Sequence, residues 1–155
     1  MGEHGQYVSS RSQQLMLFSG RGPWNDEALT SGTKSTQADL QAIVHNRPWG
    51  QIGFLYGESL MPPTAFKLFS DIISLRQQMG LKAIAIMIQD SDIITTIKTQ
   101  LKVAYNKAGI ESEFFNDFDS ATKWLSQFDI EFNLAEVNNF YLSNQFIGNQ
   151  FIGNQ

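Results

Sequence analysis

The chain has 155 residues, 42% of them hydrophobic and 12% aromatic, which fits one domain built around a single core. A net charge of -4 and a pI near 5.0 argue against a nucleic-acid surface, which needs clustered Lys and Arg to displace counterions from phosphates. With no cysteine in the chain, disulfides, thiolate nucleophiles and Cys-containing zinc sites are excluded as well.

The first ten residues, MGEHGQYVSS, have neither the basic nor the apolar stretch of a secretory leader. No segment nears the ~20 apolar residues that a membrane helix requires, so a cytoplasmic location without a membrane span is expected. QYVSSRSQ, 6–13, is weak strand material, and LMLFSG, 15–20, is a stronger strand ended by Gly20 and Gly22. A tight connection between them predicts a hairpin. In RGPWNDEAL, Asn25 is placed to cap a helix, and Asp26 and Glu27 sit where the helix dipole favours acids. Leu29, Thr36, Leu40 and Val44 then recur at helical spacing, with Gly32 expected to interrupt them and Arg47-Pro48 to end them.

WGQIGFLYG, 49–57, is the next strand. Gly57 releases it, and Pro62 and Pro63 suit the first turn of a helix, where a missing N–H costs nothing. Ala65, Leu68, Phe69, Ile72, Leu75 and Met79 predict one apolar stripe on that helix, with Gly80 as its C-terminal stop. LKAIAIMIQ, 81–89, is apolar without interruption from Ala83 to Ile88. A continuous run implies cover on both faces, as in a central strand between helical layers. Asp90, Ser91 and Asp92 offer caps for a helix carrying Ile93, Ile97, Leu101, Ala104 and Tyr105, which Gly109 ends. IESEFF, 110–115, is a short strand, and NDFDSATKWL, 116–125, a capped helix with Ala121, Trp124 and Leu125 inward. FDIEFNL, 128–134, alternates strictly and predicts a half-buried edge strand.

The element order up to residue 125 is β-β-α-β-α-β-α-β-α. Such alternation implies right-handed crossovers and an α/β domain, a mostly parallel mixed sheet of roughly four to six strands packed with about four helices. A single domain is expected over 1–142. Beyond it, NQFIGNQFIGNQ repeats the unit FIGNQ, an uncharged Asn/Gln-rich tail over 143–155 that is either disordered or able to pair with a sheet edge of the same or another chain.

Little in the sequence carries chemistry. The two histidines, His4 and His45, are expected at the surface. GRGPW, 20–24, lacks the glycine spacing of a phosphate cradle and reads as a tight strand-to-helix turn. Glu58 and Ser59 have no activating base nearby. Asp90, Ser91 and Asp92 lie at the C-terminal end of the central strand, the edge where open α/β sheets bind ligands. No catalytic constellation, metal or cofactor is expected.

The GRGPWNDEAL turn, the RPWGQIGFLYG strand, the MGLKAIAIMI helix-to-strand join and the closing FFNDFDSATKWL helix, in this order and spacing, resemble the STAS domains. The likeness is to their SpoIIAA-like branch of small cytoplasmic proteins and spans about residues 6–126. In STAS regulators the loop after the third strand carries an Asp-Ser-Ser type motif phosphorylated by a partner kinase. Here that loop reads Met61-Pro62-Pro63-Thr64, so the acid is missing, and Thr64, with Ser59 just upstream, is the phosphoacceptor candidate. The resemblance further implies that the following helix meets partners; Phe66 and Ile73, seven apart at one margin of its apolar stripe, are either core residues or a partner-facing ridge. Two functions follow. One is a non-catalytic regulatory module that binds a protein partner or its own copy. The other is a small carrier or sensor of an apolar, lipid-like molecule.

Overall fold

Gln6–Ser12 (β1) and Leu15–Arg21 (β2) form the expected antiparallel hairpin in the computed structural model, which describes residues 5–148 and the backbone of 152 and 153. The Asn25 side chain caps the following helix, accepting from the Ala28 amide at 2.9 Å, with Asp26 and Glu27 in the first turn. This helix, Asp26–Ala42 (α1), runs straight through Gly32, where a break was expected. A lone glycine costs a helix about 1 kcal/mol but removes no backbone amide, so the ladder continues.

Trp49–Tyr56 (β3), Pro63–Gln78 (α2), Leu81–Gln89 (β4), Ile94–Ala108 (α3) and Glu111–Phe115 (β5) follow in the expected alternation. The sheet has five strands in the order β1-β2-β3-β4-β5, parallel from β2 onward. Three crossovers that advance in the same direction, each right-handed, lay their helices on one face. Accordingly α1, α2 and α3 share one core with Met16, Leu55, Ile84 and Ile86. Gly80 (φ 101°) and Gly109 (φ 72°) adopt the left-handed conformation just beyond α2 and at the end of α3. The oily middle of β4 is buried on both sides, Ala83, Ala85 and Met87 contributing to the second core.

That second core lies under Phe118–Ser126 (α4) and Leu134–Ser143 (α5) on the opposite face. Asp117 caps α4, accepting from the Ser120 amide at 2.8 Å. The edge strand expected over 128–134 is absent, and α5 was not foreseen. Residues 127–129 are successive turns off the end of α4, and Asp129 has a φ of 59°, which no strand tolerates. The alternation has another cause: Ile130 is buried against Gly50, Phe128 and Phe132 pack on the core, and Leu134 opens α5 exposed. Asn133 then caps α5, accepting from the Glu136 amide at 3.0 Å. The chain therefore has five helices among the described residues, one more than the four placed in the sequence, within the α/β order expected. Asn144–Gln145 (β6), the Asn-Gln just before the repeat, pairs antiparallel with Ile152–Gly153 (β7) of the second FIGNQ copy.

Candidate functional site

The residues singled out in the sequence do not converge. Ser59 is 1% exposed, and its hydroxyl donates to the Tyr56 carbonyl (2.8 Å) and accepts from the Gly22 amide (3.2 Å). It staples two loops together and offers nothing to a kinase. Thr64 is exposed in the first turn of α2 and donates to Asp26 of α1 at 3.2 Å. His45 lies exposed with Nε2 at 3.0 Å from the Leu40 carbonyl, and His4 lies outside the described residues.

A partner-facing ridge through Phe66 and Ile73 does not form. Ile73 is 2% exposed and Phe66 is half-buried against the same core, whereas Leu75, expected inside, is 58% exposed. The inward face of α2 runs through Ala65, Ser70 and Ile73, rotated from the purely apolar stripe. A hydroxyl and, one turn on from Ser70 and Ile73, the bonded head of Arg76 share that face, so hydrophobicity alone misplaces it.

Asp90, Ser91 and Asp92 do sit past the C-terminal end of β4, and none is the N-cap of α3; that position is Ile93, whose amide the Ser91 hydroxyl accepts at 3.1 Å. Asp92 is exposed. Asp90 instead holds the chain's own C-terminal segment. Its carboxylate accepts from the Gly148 amide (2.7 Å) and from Arg21 (2.6 Å), and Arg21 also donates to the Phe146 carbonyl (2.9 Å). The Gly148 amide, then the Arg21 guanidinium, keep the Asp90 carboxyl below the usual carboxylate range. Phe146 is buried beside Tyr56, and the Ser19 hydroxyl donates to the Asn144 carbonyl. On this side the edge where α/β sheets receive ligands is spanned by residues 144–148.

A further opening lies on the other face. Between the sheet and the α1–α2 pair is a cavity of about 150 Å³. Its floor is β2 and β3, where Phe18, Gln51, Gly53 and Leu55 point toward the helices. Gly53 leaves that floor hollow: a Cβ built there meets nothing within 4 Å. Gly32 and Thr33 of α1 face Tyr7 and Ser9 of β1 at the rim, and an added Cβ at Gly32 would find only Tyr7, at 4.0 Å. Most of the lining is apolar. Arg76 from the last turn of α2 is its one charged group, donating to Gln51 Oε1 and to Thr36 Oγ1 (3.2 Å). Burial pulls the Arg76 guanidinium down to about 10, so it remains a cation at neutral pH, and burial pushes the neighbouring Tyr105 phenol up. The sequence carries a trace of this site: WGQIGFLY alternates large Ile52, Phe54 and Tyr56 with Gln51 and Gly53, which cannot fill their side of the strand.

No family model matches the chain, and no curated protein matches it. Among solved structures, an uncharacterised DUF3478-family protein of Shewanella loihica PV-4 with a SpoIIAA-like fold is similar. The TM-score is 0.55 at 21% identity, over 79% of this chain and 94% of that one. The chain has a SpoIIAA-like fold. The SpoIIAA-like architecture implied by the resemblance is thus the one adopted. At this identity the likeness carries the fold alone, and the reading of function rests on the cavity. No helix among the described residues is long and apolar enough to cross a membrane.

Proposed function

We propose that this SpoIIAA-like chain is a carrier or sensor of a small, largely apolar molecule held between the sheet and the α1–α2 pair. The observation that supports the reading is the hollow over Gly53, walled mainly by apolar side chains. A cavity of about this size lined by apolar residues is large enough for a benzene-sized ligand. Natural cores are close-packed, with few voids larger than water, so a void of this kind at a glycine in a central strand calls for an occupant. A regulatory module acting through Phe66 and Ile73 is the weaker reading, because Ile73 lines that same hollow. Phosphorylation would fall to Thr64, the exposed hydroxyl of the pair.

Native mass spectrometry and organic extraction of the purified protein test this. The expected result is a co-purifying small molecule that is lost in Gly53→Val, whose side chain occupies the cavity floor. A wild-type protein that is always empty, and that takes up no small apolar probe at millimolar concentration, would remove the reading.

A further inference from the structure

Four arginines occur in the chain, and three have a carboxylate within salt-bridge distance: Arg11 with Asp39, Arg21 with Asp90 and Arg47 with Glu131. Each of those pairs is partly exposed. Arg76 is the exception, with no carboxylate partner among the described residues, and its guanidinium is the one turned into the fold. Its two hydrogen-bond acceptors, Gln51 and Thr36, are neutral. A guanidinium has five N–H donors, so those two bonds leave donors for a further acceptor on a half-buried group that is costly to desolvate without a counter-charge. An isosteric apolar residue there would have closed the core at lower cost. The half-buried cation at the cavity therefore points to a negative charge supplied from outside the chain.

On the reading of the cavity as a ligand site, we infer that its occupant is a small amphipathic monocarboxylate, with the carboxylate on Arg76 and the apolar body over Gly53. The planar fork of a guanidinium matches a carboxylate with two parallel N–H bonds, and Gln51 and Thr36 hold that fork in place. Tyr105 lines the same cavity, and its hydroxyl makes no hydrogen bond among the described residues, which leaves it free to donate to the second carboxylate oxygen. Arg76 is the single charged residue of the lining, so a monoanion is matched and a dianionic phosphate is left with excess charge. The mainly apolar wall favours an aromatic or short aliphatic body over a sugar or a polar amino acid.

Benzoate and benzyl alcohol, nearly the same in size and differing in charge at pH 7, separate the parts of this inference by calorimetric or NMR titration. Benzoate is expected to bind the wild-type protein about tenfold more tightly or better, since hydrogen bonds to charged groups exceed those to neutral ones. It should also shift the Arg76 Nε–H resonance. Arg76→Met should level the two affinities, and Arg76→Lys should restore part of the preference. Equal binding of both probes to the wild-type protein, or benzoate binding that leaves the Arg76 resonance in place, overturns the anion site while the apolar carrier stands. Binding of neither probe overturns both. Should Arg76→Met fail to fold, the wild-type probe pair and the Arg76 resonance still decide.

Discussion

One strand, β3, builds two unlike layers. On the side facing α4 and α5, Ile52, Phe54 and Tyr56 are fully buried, and aromatic rings fill the space above them: Phe54 lies 4.7 Å from Tyr141 and 6.3 Å from Phe140, centroid to centroid, with Phe118 stacked 5.3 Å from Tyr141. On the side facing α1 and α2, the alternate residues are Gln51, Gly53 and Leu55, and a cavity edged by a half-buried cation interrupts the core. Because side chains alternate strictly along a strand, the two sides can be tuned independently. Packed interiors tolerate few voids, so the asymmetry is more informative than either layer alone.

The comparison breaks first at Phe54. Phe54→Ala on the filled side removes a ring with no exposure and leaves a hole that its neighbours, locked ring against ring, cannot close. The expected loss is about 3–5 kcal/mol in urea unfolding. Uptake of a small probe by the folded variant should be unchanged. A loss below about 1 kcal/mol would mean that this layer is as loosely packed as the other.

Gly53→Val on the hollow side should have the opposite sign. The position has ordinary strand backbone and open space beyond Cβ, and a β-branched residue suits it. Cavity filling of this kind commonly stabilises by about 0.5–2 kcal/mol, and here it should remove probe binding at the same time. A destabilised Gly53→Val that still binds would show the void to be elsewhere.

The same asymmetry governs what could be read in the sequence. The α/β order, the hairpin, the Asn25 cap, the Gly109 stop and the buried run of β4 were legible because each depends on local periodicity or on one residue's backbone chemistry. Residues 128–134 misled because alternation is necessary for a half-buried strand and not sufficient. Asp129 breaks the backbone, and the signal that mattered was Asn133 followed three residues on by Glu136, a helix start. Ser12 completes that start, its hydroxyl donating to Glu136 (2.7 Å) and accepting from the Asn133 amide (3.0 Å), a contact across the chain that no local pattern contains. Arg76 was invisible for a related reason. A basic residue in a helix's last turn normally complements the dipole at the surface, and only the placement of Gln51 and Thr36 shows that it turns inward.

The smallest expected effect concerns how the filled side is closed at its upper edge. Asp90 accepts from the Gly148 amide and from Arg21, which ties residues 146–148 down with Phe146 against Tyr56. Both bonds favour the ionised carboxylate, so its pKa in the folded chain lies below the unfolded value. A group depressed in this way gives stability that is complete above the ordinary aspartate value of about 4 and is lost as pH falls through the lower, folded value. The closure should therefore be constant from pH 5 to 8 and loosen only in acid. In NMR, the Gly148 amide shift should titrate with a midpoint below about 4. Asp90→Asn should abolish that titration and speed hydrogen exchange at Gly148, with little change at Gly53 or Arg76. A midpoint at or above the ordinary carboxylate value would mean that the latch does not hold in solution. A response spreading to Arg76 would mean that the two sides of the sheet are coupled after all.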